Sequence, residues 1–214
     1  MKANIFIFIT IFLLVSCSSK QVLEKENNAQ KKWELIWSDE FNYEGLPDES
    51  KWDYDAGGSG WGNNEQQFYT AYDPETARVS NGVLIIEAHK KQHLGMPYKS
   101  ARVVTRGKGD FLYGRIEVCA KLPKGRGVWP AIWMLPTEKK YGEWPSSGEI
   151  DIMEMVGFDQ DVVHMSIHTD SYNHKKGTHK TASTYIQGSS DNFHVYAVEW
   201  YPDRIDFFVD DKNY

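Results

Sequence analysis

The sequence predicts an all-β fold, a β-sandwich. From residue 33 onward the chain is a series of short segments rich in β-branched and aromatic residues, divided by turn residues. Helical periodicity is almost missing, and no internal repeat is visible. Aromatic residues make up 14% of the chain, with 8 Trp, enough to fill a core with Trp to spare. Candidate strands are 33–41, 65–72, 83–89, 100–106, 111–121, 128–135, 148–156, 162–169, 193–201 and 204–210. Ser80-Asn81-Gly82 and Tyr201-Pro202-Asp203-Arg204 read as turns, and 197–200 followed by 205–209 as a hairpin. Residues 210–214 read as a turn opening one more strand.

The first residues precede the fold. Lys2 supplies a charge, and 5–15 are apolar except for Thr10. That run is shorter than the ~20 residues of a membrane helix and fits a signal-peptide core. Leu14-Val15-Ser16-Cys17 resembles the lipobox of bacterial lipoproteins, in which the Cys becomes an acylated N-terminus. The resemblance implies a lipoprotein signal peptide over 1–17, lipidation at Cys17 and an exported bacterial protein anchored to a membrane, periplasmic or at the cell surface. Two or more acyl chains hold such an anchor stably. Residues 18–32 are polar and charged and read as a disordered tether. The folded domain is expected over 33–214.

Acidic residues number 30 and basic ones 24, for a net charge of −6. With no basic cluster, this argues against a nucleic-acid partner. Cys119 lies in strand-like sequence and is expected to be a buried thiol without a chemical role.

Gly148-Glu149-Ile150-Asp151-Ile152-Met153-Glu154 carries the chemistry. Strand side chains alternate faces, so Glu149 and Asp151 share one face and Ile150 and Ile152 the other. Strict alternation would put Glu154 with the isoleucines, and an unpaired acid on a core face is costly. One extra residue at Ile152-Met153, a β-bulge, returns Glu154 to the acid face. If the next hairpin pairs Glu154 with His164, Asp151 faces Ser166 and Glu149 faces His168. Three crowded carboxylates resist ionising together, so one should hold a proton. Glycoside hydrolysis needs that division between an ionised carboxylate and a carboxylic acid. A solvated acidic strand face is the alternative, although no Lys or Arg occurs over 148–157 to balance it.

This strand closely resembles the signature of glycoside hydrolase family 16, in its laminarinase-like (endo-β-1,3-glucanase) branch. Five further blocks resemble the family in the same order. They are Trp37-Ser38-Asp39-Glu40-Phe41, Gly62-Asn63-Asn64-Glu65-Gln66-Gln67-Phe68-Tyr69, Ser100-Ala101-Arg102-Val103-Val104-Thr105, Tyr113-Gly114-Arg115-Ile116-Glu117 and Gly127-Val128-Trp129-Pro130-Ala131-Ile132-Trp133-Met134-Leu135. The resemblance implies a concanavalin A-like jelly roll with a concave substrate cleft. It implies hydrolysis of internal β-1,3 or β-1,3-1,4 glucosidic bonds with retention of configuration. Glu149 is implied as nucleophile, Glu154 as acid/base and Asp151 as the carboxylate that tunes them.

Trp129 and Trp133 share a strand face and are the expected sugar platforms, with Trp144 on the adjoining loop. The alternative is that one of the strand pair packs in the core. His168 is expected to hydrogen-bond the sugar near Glu149; Asn63 and Arg102 are further candidates. The other histidines lack a metal-ligand pattern, and His174 and His179 sit in a polar loop.

The expected partner is a β-glucan polysaccharide, the protein a monomer, and no cofactor or metal serves catalysis. Family members continue past the position of Tyr214 with further strands, including an Asp often used for a structural calcium. The chain therefore reads as truncated at its C-terminus. Rival readings are a non-catalytic β-glucan-binding module on the same fold, a purely structural lipoprotein, and a member acting on another polysaccharide such as agarose or carrageenan.

Overall fold

The computed structural model describes residues 33–214. The expectations for 1–17 and 18–32, Cys17 included, lie outside the described residues. Six short strands come first: Asp53–Tyr54 (β1), Gln67–Tyr69 (β2), Ala77–Ser80 (β3), Val83–Ile86 (β4), Tyr98–Ser100 (β5) and Val103–Val104 (β6). β1 pairs with β6 and β3 with β4, both antiparallel, while β2 and β5 run parallel. Longer strands follow: Gly114–Ala120 (β7), Ala131–Met134 (β8), Glu149–Glu154 (β9) and Val162–His168 (β10). Lys180–Tyr185 (β11), His194–Trp200 (β12), Ile205–Val209 (β13) and Lys212–Asn213 (β14) complete the order.

Two four-stranded sheets form the body, in the orders β11-β10-β9-β8 and β14-β13-β12-β7. The core fills the space between them. Ile150, Ile152 and Met153 of β9 and Val163 and Met165 of β10 cluster with Tyr196 and Val198 of β12 and Phe207 and Val209 of β13. Each such side chain contributes about 1.5–3 kcal/mol on burial. Because these residues occupy one face of β9 and β10, the period of two leaves the opposite face for the polar residues between them.

The expected hairpin exists, with Ala197 paired to Phe208 and Trp200 to Ile205. Asn81 and Gly82 both take positive φ, 54° and 78°, as a tight two-residue turn between β3 and β4 requires. Asp210 and Asp211 do the same (50° and 62°) before β14, the further strand expected after residue 210.

The structure corrects three expectations. Residues 33–41 form no strand. Their aromatic residues pack sideways instead of along a ladder: Trp37 meets Trp52 and Phe111 edge-on, at 5.6 and 6.1 Å. Asp39 there accepts bonds from Trp52 Nε1 (2.8 Å), Tyr43 Oη (2.9 Å) and the Phe41 amide (3.1 Å). Phe41 then turns the chain away at φ 52°. Strands β1, β3 and β11 were not expected, and 100–106 divides between the end of β5 and β6. Cys119 is exposed, because alternation along β7 puts it on the outer face with Arg115 and Glu117.

Candidate active site

The site is built on β9, and the register explains its shape. Glu154 pairs with His164, the pairing assumed for the hairpin, and Asp151 faces Ser166 and Glu149 faces His168, as that pairing and the bulge together require. Three steps along β9 thus match two along β10, which is a β-bulge. The β8 side shows the same shift, with Ile132 opposite Met153 and Trp133 opposite Asp151. Ile152 and Met153 are both 1% exposed. Two consecutive residues therefore enter the core, and Glu149, Asp151 and Glu154 all reach the other face.

Burial dominates the electrostatics. Asp151 is 2% exposed. Burial first, then the charges of Glu149 and Glu154, push its carboxyl up to about 9, so it holds a proton at neutral pH. It shares that proton with Glu149 in a side-chain hydrogen bond. Glu154 is also raised, by burial and by the charge of Glu149, against a lowering hydrogen bond from Trp129. Burial lowers His168, which leaves its ring neutral at neutral pH.

The indoles hold the acids. Trp129 Nε1 donates to Glu154 Oε1 at 3.0 Å, and its ring is half exposed. Trp144 Nε1 donates to Glu149 Oε2. The Lys175 ammonium lies 4.7 Å from the Trp144 ring centre, and the His174 ring 5.0 Å away. Trp133, opposite Asp151, carries the Arg102 guanidinium 4.4 Å over its ring. Arg102 also lies 4.7 Å from the Trp61 ring and 3.5 Å from Asp55. Arg102 is thus a spacer between two indoles, and neither Trp129 nor Trp133 belongs to the buried core cluster.

Two candidates sit differently from expectation. His168 is buried, with Nε2 3.2 Å from Asp151 Oδ2, so its ring presses on the acid. Asn63 is exposed and reaches Glu65 Oε1 at 3.4 Å; among the described residues no hydrogen bond joins it to the carboxylates.

The structure adds residues that no sequence pattern marks. His179 stacks on His168, with ring centres 5.5 Å apart and planes at 11°. Together with Trp129, Glu154, His164, Ser166 and Thr181 it lines a cavity of about 250 Å³. His174 lies 5.3 Å from His168. The loop that carries it is tied by Asn173, whose side chain donates to the carbonyls of Thr169 and Asp170 and accepts from the Lys176 amide. One ligand atom each from Glu149, Asp151 and His168 falls within 4.8 Å of the others, a set that could hold a cation.

A protonated carboxyl between two glutamates, on one open sheet face edged by indoles, defines a glycoside hydrolase. The model of the glycosyl hydrolases family 16 matches residues 64–214, and the chain belongs to that family. It is 54% identical over 204 residues to a beta-glucanase of Rhodothermus marinus, covering 94% of this chain and 71% of that one. It is 37% identical over 192 residues to a glucan endo-1,3-beta-glucosidase of Cryptopygus antarcticus, covering 87% and 70%. The X-ray structure of the laminarinase from Rhodothermus marinus superposes with a TM-score of 0.84 at 57% identity, over 86% of this chain and 74% of that one. The fold is the jelly-roll sandwich of these enzymes.

Proposed function

We propose that the protein cleaves internal β-1,3 bonds of glucan polysaccharides, with retention of configuration. The observation that carries this is the trio of Glu149, Asp151 and Glu154 on one sheet face, with Asp151 holding a proton. The names of the relatives, a beta-glucanase, a laminarinase and a glucan endo-1,3-beta-glucosidase, support the substrate class.

Glu149, oriented by the Trp144 N–H, attacks the anomeric carbon. Glu154 gives its proton to the departing glycosidic oxygen. The glycosyl ester that forms leaves Glu149 uncharged, which removes one cause of the raised Glu154 pKa. Glu154 then takes a proton from water, whose oxygen attacks the ester and releases Glu149. No cofactor enters these steps.

We further propose export and anchoring through Cys17, supported by the lipobox-like 14–17. Incorporation of labelled palmitate in a bacterial host, lost in Cys17→Ser, is the expected result.

The activity is tested by release of reducing sugar from laminarin, with release lost in Glu149→Ala. Laminarin binding without release, indifferent to that substitution, would favour the non-catalytic module. Higher release from mixed-linkage glucan, agarose or carrageenan than from laminarin would overturn the linkage.

A further inference from the structure

We propose that Glu149, Asp151 and His168 form a zinc site, so that a zinc ion closes the catalytic centre. Each residue offers a ligand atom within 4.8 Å of the others. His168 Nε2 and Asp151 Oδ2 are 3.2 Å apart. Two donors on one tetrahedral zinc, each ~2.0–2.1 Å from the ion, are about 3.3–3.4 Å from one another. The pair is therefore spaced for a shared ion before any atom moves.

A second observation is independent of that spacing. The Asp151 side chain is 3% exposed and that of His168 is 7% exposed. Yet among the described residues Asp151 Oδ2 has no hydrogen-bond partner, although His168 Nε2 lies 3.2 Å away. A buried acceptor without a donor is costly, and a zinc ion between the two groups would satisfy it, releasing the proton that Asp151 shares with Glu149 to solvent. Ser166, the neighbour of Asp151 across the strands, donates its hydroxyl to Thr181 and gives Asp151 nothing.

The donor set selects the metal. One imidazole and two carboxylates suit zinc, which binds three protein ligands and keeps a fourth position for water. Calcium needs six to eight oxygens, which this cluster does not offer. Glu149 is only half-buried, and the exposed His174 ring stands 5.3 Å from His168, so an ion can enter from the cleft.

A zinc ion held there engages the Glu149 carboxylate and so competes with the glucan. The competition rests on the glycosidase reading; the binding does not. Calorimetric titration of the full chain with zinc chloride tests the binding alone. One ion per chain is expected, weakened at least about tenfold in His168→Phe and in Asp151→Asn. His89→Asn, a histidine bridged to Lys99, leaves it unchanged. Thermal unfolding without zinc establishes that each variant is folded. The wild type gives a further reading that needs no variant: laminaritriose weakens zinc binding, and zinc raises KM for laminarin at constant kcat. Absence of a one-to-one binding heat at millimolar zinc would overturn the site. So would affinity untouched in folded variants or unaffected by laminaritriose. A protein that binds zinc as expected and releases no sugar would keep the site and defeat the glycosidase reading.

Discussion

Replacing Asp151 by Asn keeps the shape of the side chain and removes its ionisation. In the folded protein this carboxyl is raised from 3.8 to about 9, by burial and then by Glu149 and Glu154. Folded Asp151 keeps its proton at a pH where the unfolded chain has lost it. Its contribution to stability is full below about pH 4 and drains away as the pH rises towards 9. One pKa unit corresponds to about 1.4 kcal/mol, so by pH 7 the loss is roughly three units, or about 4 kcal/mol. Asn cannot titrate and suffers no such loss. Its amide can also donate to Glu149 as the carboxylic acid does. The variant should therefore gain on the wild type by about 1.4 kcal/mol per pH unit between about pH 5 and 8. Urea unfolding of both proteins across that range reads the difference. A constant offset reports altered packing, whereas the slope reports Asp151. A gap that stays flat with pH refutes the assignment of the proton to Asp151.

The neighbouring groups give further predictions. Trp144→Phe keeps the ring and removes the N–H that Glu149 accepts. Bonds to charged groups contribute about 1.5–3 kcal/mol, so kcat should fall roughly ten- to a hundredfold with little change in KM; an unchanged kcat counts against the bond. Trp129→Phe removes the bond that lowers Glu154, so the Glu154 pKa rises and the alkaline limb of kcat/KM moves to higher pH. Movement to lower pH in that profile contradicts the reading. Deleting Met153 restores strict alternation and keeps all three acids on one face, but it removes a side chain that is 1% exposed. Stability should drop by at least about 2 kcal/mol while measurable sugar release persists. A folded deletion mutant with no activity would mean that the bulge itself sets the carboxylate spacing.

Where burial constrained the chain, the sequence was legible. The bulge follows from one rule, that Glu154 cannot lie with Ile150 and Ile152 in the core, and the rest of the β9–β10 register follows once Glu154 is taken to pair with His164. The edge strand β11, Lys-Thr-Ala-Ser-Thr-Tyr, has five of its six residues exposed, so it shows no alternation to read. β1 and β6 have two residues each, too short for any period. Residues 33–41 carry the opposite lesson. Their apolar residues look like a strand, yet Leu35 and Ile36 are 78% and 77% exposed, and the segment is held by the Asp39 hydrogen bonds instead of a ladder. The three carboxylates and their indoles were legible because they lie on adjacent strands and one loop. His174 and His179 were not, since a turn closed by Asn173 brings them back to His168, and nothing in their local sequence marks that return. Arg102 was marked as a sugar contact, but only the fold shows it lying between Trp61 and Trp133.

The division of labour between Glu149 and Glu154 is tested most directly by azide rescue. Glu149→Ala and Glu154→Ala are each given an aryl β-laminaribioside with a good leaving group, together with sodium azide, and the products are read by proton NMR. In Glu149→Ala, azide attacks from the side that the nucleophile vacates, and the account predicts an α-glycosyl azide. In Glu154→Ala the ester still forms on Glu149, azide displaces it from the opposite side, and a β-glycosyl azide is predicted. Exchanged anomers, or rescue of neither variant, would contradict the roles assigned to the two glutamates.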